Sequence, residues 1–313
     1  MQQQQIQNAL DYATGTSLEK LLAVSMQIRE ESFGHDIQTC MLVSAKCGKC
    51  TNNCGFCSQS IHHKTDITTY SLLDAKSLIA EAKIAAECGT DHFCIVTSGA
   101  TVSRRELEQI AEAVREITGS YKMKMCASLG KLDRESLAIL KEAGLTRYHH
   151  NLETSEAFYP KICSTQSWRD RYDMVRRAVD VGLETCCGAL FGLGESWRDR
   201  ADLAVSLREL GVTSVPINFL HAHLGTPLAN QTPLTSEEAL RIIALYRYLL
   251  PTTTIRICGG RPKILADQQS QMFAAGANAL MTGNYLTLNG FSPESDRKMI
   301  EQLGLHTHLL QTV

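Results

Sequence analysis

Residues 92–128 read HFCIVTSGATVSRRELEQIAEAVREITGSYKMKMCAS, and this stretch decides the fold. His92–Thr97 is a short apolar, β-rich run. Ser103 then stands as an N-cap with Glu106 three residues on, the reciprocal arrangement of a capping box. A helix is predicted over Arg104–Ile117, with Gly119 past its end. Lys124–Ser128 returns to strand composition. Strand, helix and strand in series make two parallel strands joined by a right-handed crossover.

The same alternation extends in both directions. Strands are predicted at Thr39–Ala45, His92–Thr97, Lys124–Ser128, Arg147–Leu152, Thr185–Phe191, Ser214–Leu220, Thr253–Cys258 and Ala279–Thr282. Helices are predicted at Asp74–Cys88, Arg104–Ile117, Arg134–Ala143, Trp168–Val181, Trp197–Leu210, Glu237–Leu250, Leu265–Ala275 and Glu294–Leu303, most of them stopped by glycine. Eight such units predict an α/β fold, a closed (β/α)8 TIM-type barrel, with an open doubly wound sheet as the alternative. A leading helix, Leu18–Glu31, is expected to cover the barrel. Residues 1–37 then form a helical extension, 38–305 one barrel domain and 306–313 a tail. In a barrel the chemistry sits at the C-terminal ends of the strands.

The chain has 313 residues, a formal charge of −2, 44% hydrophobic and 20% charged residues, a balance that excludes charge-driven binding to nucleic acid or a membrane surface. It has no apolar run of membrane-spanning length. The Gln-rich start lacks the basic and apolar blocks of a secretory signal, so a cytoplasmic enzyme is expected. Twelve cysteines in such a chain are not expected to pair as disulfides. Cys40, Cys88 and Cys163 read as small buried hydrophobes.

The loop after the first strand reads Cys47-Gly-Lys-Cys50-Thr-Asn-Asn-Cys54-Gly-Phe56-Cys57. Cys50, Cys54 and Cys57 can hold three irons of a cubane cluster, leaving the fourth iron open to a non-protein ligand. A zinc site is the alternative, with Cys47 as fourth ligand; otherwise Cys47 is structural. Further thiols recur on strands: Cys94 on the second, Cys126 on the third, Cys186 on the fifth and Cys258 on the seventh, two residues from Arg256. Residues two apart on a strand share a face, so these groups converge if they face inward, as ligands of a second cluster. Cys187 should face away from Cys186.

The C-x3-C-x2-C loop on the first strand resembles the radical S-adenosylmethionine (SAM) superfamily, in which the three cysteines bind a 4Fe-4S cluster. The open iron then takes the methionine end of SAM, and reductive cleavage yields a 5′-deoxyadenosyl radical. Further stretches carry a narrower resemblance: His92-Phe-Cys94, Met125-Cys126-Ala-Ser-Leu-Gly130, Tyr148-His-His-Asn151-Leu-Glu153-Thr-Ser155, Cys186-Cys-Gly-Ala-Leu-Phe-Gly-Leu-Gly-Glu195, Val215-Pro-Ile-Asn218, Gly225-Thr-Pro-Leu228 and Arg256-Ile-Cys-Gly-Gly-Arg261. From about Leu18 to Leu305 the chain is similar to the biotin synthase family, whose members insert sulfur into dethiobiotin.

The resemblance implies an auxiliary sulfur-donating iron–sulfur cluster on Cys94, Cys126, Cys186 and Arg256. Cys258 departs from the family pattern and is the rival fourth ligand. The auxiliary cluster is then 2Fe-2S with Arg256 or a four-iron cluster with Cys258. Asn151 and Asn218 match residues that hydrogen-bond the ureido ring; an amide supplies both donor and acceptor. Glu153 matches an acidic group on the SAM ribose, and Arg171 one that pairs with its carboxylate. Phe56, Gly188, Gly192 and Glu195 lie by the cofactor. The Ser98-Gly99-Ala100 loop supports its amino group. His149 stands where the family commonly has Asn, and His150 reads as core. The charged run Arg169–Arg177 reads as a solvated helix face, and Glu153–Arg171 as a surface ion pair if not a cofactor site. A flavodoxin or ferredoxin donor and a homodimer are implied. Rival functions are another radical barrel enzyme (hydrogenase-maturing or amino-acid-rearranging), a non-enzymatic iron–sulfur or zinc scaffold, and a thiol redox sensor.

Overall fold

The computed structural model describes residues 2–307. Its strands are β1 (Asp36–Lys46), β2 (His92–Thr97), β3 (Lys124–Ser128), β4 (Arg147–His149), β5 (Glu184–Cys186), β6 (Ala189–Phe191), β7 (Ser214–Phe219), β8 (Thr254–Ile257), β9 (Ala279–Met281) and β10 (His306–Thr307). Strands β1 to β5 pair in chain order, all parallel. Both β5 and β6 lie along β7, which pairs with β8, and β8 with β9. The sheet returns on itself where Gln38 of β1 sits opposite Ala279 of β9. The structure is thus the closed barrel, not the open doubly wound sheet.

One expected strand, Thr185–Phe191, is broken into β5 and β6. The break follows from backbone crowding at Gly188. A Cβ placed there would stand 1.9 Å from the carbonyl oxygen of Pro216 on β7. The Gly188 carbonyl accepts from the amides of Leu152 and Glu153, both at 3.1 Å, and its own amide donates to Asn151 Oδ1 at 3.1 Å. The ladder is diverted here to hold the loop after β4. The fourth strand ends at His149 rather than Leu152 for the same reason.

The helices form the outer layer, and their starts follow the cap residues. Ser103, Ser167 and Ser196 each close a reciprocal capping box. The helix from Arg104 runs on to Ser120, through Gly119. Thr235, not Ser236, caps Ser236–Leu249. The expected helix over Leu265–Ala275 is two short pieces, Ala266–Gln268 and Gln271–Ala274, preceded by a separate turn of helix at Arg261–Ile264. Two helices precede the barrel, Gln2–Gly15 and Leu18–Phe33, where one was expected. They lie on the outer layer: Tyr12 stacks on Tyr248 at 4.7 Å, and Arg241 Nη1 donates to the carbonyls of Ala13 and Thr16. At the chain end, β10 lies along the start of β1. Residues 308–313 of the expected tail lie outside the described residues.

The apolar core fills the space between strands and helices. Leu107, Ile110, Val114 and Ile117 of the Arg104–Ser120 helix are buried against it, each contributing about 1.5–3 kcal/mol. The barrel interior differs. Branched aliphatic residues usually fill it in layers. Here Cys40, Cys94, Cys126, Cys186, Arg147, Arg256 and His92 line it instead. An interior so composed is a site rather than a core.

Candidate active site

A cavity of about 410 Å³ opens at the C-terminal end of the strands and reaches into the barrel. Cys50, Cys54, Cys57 and Phe56 line it from the loop after β1. That loop is pinned by backbone bonds: Cys50 N to Gln59 O at 3.0 Å, Cys57 N to Cys54 O at 2.9 Å and Gly55 N to Ile162 O at 2.7 Å. Ser98 Oγ donates to the Gly48 carbonyl at 2.7 Å, tying the loop after β2 to it. Cys47 stands apart, buried and bridged to Tyr70. Among the described residues no three His, Cys, Asp or Glu side chains converge on a point for one metal ion.

Deeper in the barrel, strand parity and register bring the second thiol set together. Cys94 sits opposite Cys126, and His149 opposite Cys186. Arg256 sits opposite Pro216, and Cys258 follows two residues on. Cys40 joins them, opposite His92 and packed with Cys94 and Cys126. It is buried as expected and also lines the cavity. Burial holds the Cys40 thiol up at about 12, with Arg256 pulling the other way. Burial likewise lifts Cys186 to about 11. Such thiols stay protonated until a metal or cluster displaces the proton. Cys187 is fully buried on the other side, among the apolar residues of the outer core.

Two guanidinium groups face these thiols. Arg147 is held by Glu184 through Nε at 3.0 Å and Nη2 at 2.6 Å. Arg256 reaches the Leu280 carbonyl at 3.3 Å and Gln38 Oε1 at 3.2 Å. His92 is 4% exposed, and neither ring nitrogen has a hydrogen-bond partner of normal geometry. Thiols, fixed cations and an unsatisfied imidazole in one pocket fit a sulfide-rich cluster, which accepts hydrogen bonds at its sulfurs.

The charged run on the Trp168–Asp180 helix is not wholly solvated: Arg171 is buried. Its Nε donates to Tyr159 Oη at 2.8 Å, and its Nη1 to the Asn151 carbonyl at 2.9 Å. Nη1 stands 3.5 Å from Glu153 Oε1, with both side chains largely covered, so this is not a surface ion pair. Burial raises the Glu153 carboxyl, and Arg171 opposes that shift. Asn151 Nδ2 donates to Glu153 Oε2 at 3.4 Å. Asn218 Nδ2 donates to the Ala189 carbonyl at 3.1 Å, while its Oδ1 accepts from Gly259 N at 3.0 Å. Each amide atom of Asn218 keeps one further bonding position for a ligand.

Glu153, Arg171, Asn151, Asn218, Ser98 and Gly99 all line the cavity. Gly188 and Gly192 do not; they shape the strand behind it. Gly192 N donates to Glu195 Oε1 at 3.1 Å, and Glu195 is paired with Arg200 at 2.8 Å. The sequence reading missed Cys40, His92, Arg147 and Cys163. Cys163 Sγ lies 3.7 Å from Cys54 Sγ. Contact with Cys163, then burial, raises the free Cys54 thiol well above its ordinary range, so its proton leaves only in exchange for iron.

A parallel barrel with three thiols on the loop leaving its first strand defines a radical SAM enzyme, and the family models agree. The Radical SAM superfamily matches residues 46–207, and the Biotin and Thiamin Synthesis associated domain matches 216–306. Membership of that superfamily carries a 4Fe-4S cluster and SAM. Among solved structures, methylornithine synthase superposes with a TM-score of 0.83 at 19% identity, over 99% of this chain and 98% of that one. The FeFe-hydrogenase maturase of Carboxydothermus hydrogenoformans does so at 0.82 and 18%, over 99% and 80%; both likenesses concern the fold. The biotin synthase of Desulfovibrio desulfuricans is 48% identical, over 92% of this chain and 91% of its own. That of Trichlorobacter lovleyi is 49% identical, over 95% and 90%. The chain belongs to the biotin synthase family.

Proposed function

We propose that this enzyme converts dethiobiotin to biotin, with Cys50, Cys54 and Cys57 holding the radical-generating cluster and the deeper thiols holding a second, sulfur-donating one. The observation that supports this reading is that both thiol sets open into one cavity. When bound, the two clusters supply a one-electron reductant for SAM and a source of sulfide.

The chain's own residues bind, orient and exclude. Arg171, held by Tyr159 and the Asn151 carbonyl, presents a fixed guanidinium for the SAM carboxylate. Glu153 faces the same space for the ribose hydroxyls. Asn151 and Asn218, held on the adjacent residues Gly188 and Ala189, offer donors and acceptors to the cyclic urea of dethiobiotin. Phe56 and Leu190 line the same space and help keep water from a carbon radical. Cys94, Cys126 and Cys186 are three thiolate ligands of the second cluster; Arg256 or Cys258 is the fourth. Thiolate binds iron far better than a protonated guanidinium. The electron donor is a flavodoxin or ferredoxin, the assembly a homodimer, the location cytoplasmic and residues 38–305 one barrel domain. Among the described residues no helix is long and apolar enough to cross a membrane.

Iron and sulfide analysis with Mössbauer spectra on anaerobically purified protein, beside Cys258→Ala, tests the reading. About six irons per chain, unchanged in the variant, assigns a 2Fe-2S donor with Arg256. About eight, with spectral loss in the variant, assigns a four-iron donor with Cys258. About four would leave only the radical cluster and defeat the sulfur-donor assignment.

A further inference from the structure

We infer that Cys163 is a positioning residue for the radical cluster, its thiol donating a hydrogen bond to the sulfur of Cys54. This rests on the reading that Cys54 ligates that cluster. The two Sγ atoms are 3.7 Å apart, within reach of a thiol–sulfur hydrogen bond. Both residues are buried, at 6% and 5% exposure. A cysteine bound to iron is a thiolate and has no hydrogen to give. In the metal-free pair Cys54 is the donor to Cys163; once iron replaces the Cys54 proton, the direction reverses, with the thiol of Cys163 donating and the Cys54 sulfur accepting.

The approach is built rather than incidental. Cys163 sits on a segment clamped to the cluster loop along its length. Asn53 Oδ1 accepts from the amides of Ser164 at 3.0 Å and Thr165 at 3.2 Å. Asn53 N donates to Thr165 Oγ1 at 3.0 Å, and Asn53 Nδ2 to Ser164 Oγ at 2.8 Å. The Ile162 carbonyl takes the Gly55 amide at 2.7 Å. These contacts bracket Cys54 on both sides in sequence and fix its distance to Cys163. Arg171 Nη2 approaches the same Cys54 sulfur, at 3.9 Å. The Cys54 sulfur therefore faces both a thiol and a cation. Donors to a ligand sulfur stabilise the reduced, more negative form of an iron–sulfur cluster and help retain the iron.

The test compares Cys163→Ser, which keeps a donor, with Cys163→Val, which keeps the volume and loses it. Each is isolated as the iron-loaded full chain, with far-UV circular dichroism to confirm folding. Two quantities are read: the electron paramagnetic resonance signal of the reduced 4Fe-4S cluster during a potential titration, and the rate of iron loss to a chelator. In Cys163→Val the midpoint should shift to more negative potential and iron loss should quicken several-fold, while Cys163→Ser stays near wild type. Wild-type behaviour of the valine variant in both readouts would overturn the assignment. So would equal shifts in both variants, which would make Cys163 a packing residue. Cys54→Ala is the control: if it keeps the radical-cluster signal, the ligand reading has failed, whatever Cys163 does.

Discussion

The Cys54 sulfur is flanked by Cys163 and Arg171, and in the proposed assignment it is one of three thiolates that hold the radical cluster. In Cys54→Ala, 5′-deoxyadenosine formation should fall to background when SAM and a strong reductant are supplied, as read by chromatography. Cys186→Ala should leave that product within a few-fold of wild type while biotin formation stops. Biotin from that variant would remove Cys186 from the sulfur donor. His149 and His150 carry a pH dependence. Burial pushes His149 down to about 4 and His150 well below its ordinary range. Unfolded imidazoles titrate near 6.5. Between about pH 6.5 and 4 the unfolded chain therefore binds protons that the folded one refuses, and stability falls with pH. The loss approaches about 1.4 kcal/mol per pH unit for each histidine. Urea midpoints at pH 7.5 and 5.5 should differ accordingly, and less so in His149→Gln. At this scale the strand thiols were legible because period-two alternation converts position into direction. Cys40 obeys the same parity and was passed over for want of a motif. Cys163 lies in an irregular segment, where sequence spacing carries no direction.

The break between β5 and β6 shows what a single missing side chain permits. Gly188 lies against the β7 backbone, and no side-chain adjustment can relieve a Cβ there. Gly188→Ala should destabilise the protein by about 3 kcal/mol or more, a value typical of forced backbone displacement. The check is a lowered thermal midpoint together with weakened SAM binding, because Asn151 and Glu153 hang on the Gly188 amide and carbonyl. Helix starts were readable from caps such as Ser103, although Thr235 rather than the neighbouring Ser236 caps the helix that follows it. The segment Leu265–Ala275 was not readable: its apolar pattern is that of a helix, but the chain forms two single turns there. The break at Gly188 was equally hidden, since the crowding comes from Pro216 on another strand.

Across the whole molecule, one buried cation joins the outer layer to the strand ends. Arg247 is fully buried. It donates to the carbonyls of Gly276, Leu250, Pro251 and Thr253. Its Nη2 reaches Asn278 Oδ1 at 2.9 Å, which also accepts from the Ile255 amide. The guanidinium lies 4.8 Å from the Phe33 ring. Arg247→Met would strand several buried acceptors and should cost at least about 3 kcal/mol. Differential scanning calorimetry should then show a midpoint several degrees lower, with cluster spectra at low temperature unaltered.

The register that closes the barrel also sets a timetable. Gln38 waits for Ala279, and Asp36 for His306. A ribosome delivers chain at roughly 5–20 residues per second. The first strand therefore leaves the exit tunnel many seconds before the partner that covers its open edge. During that interval the nascent chain exposes a long β edge and its thiols together, a combination that invites aggregation and premature oxidation. Cys94, Cys126, Cys186 and Cys258 come from four different strand positions and meet only as the sheet is completed, so the second thiol set depends on how well the unfinished sheet is sheltered.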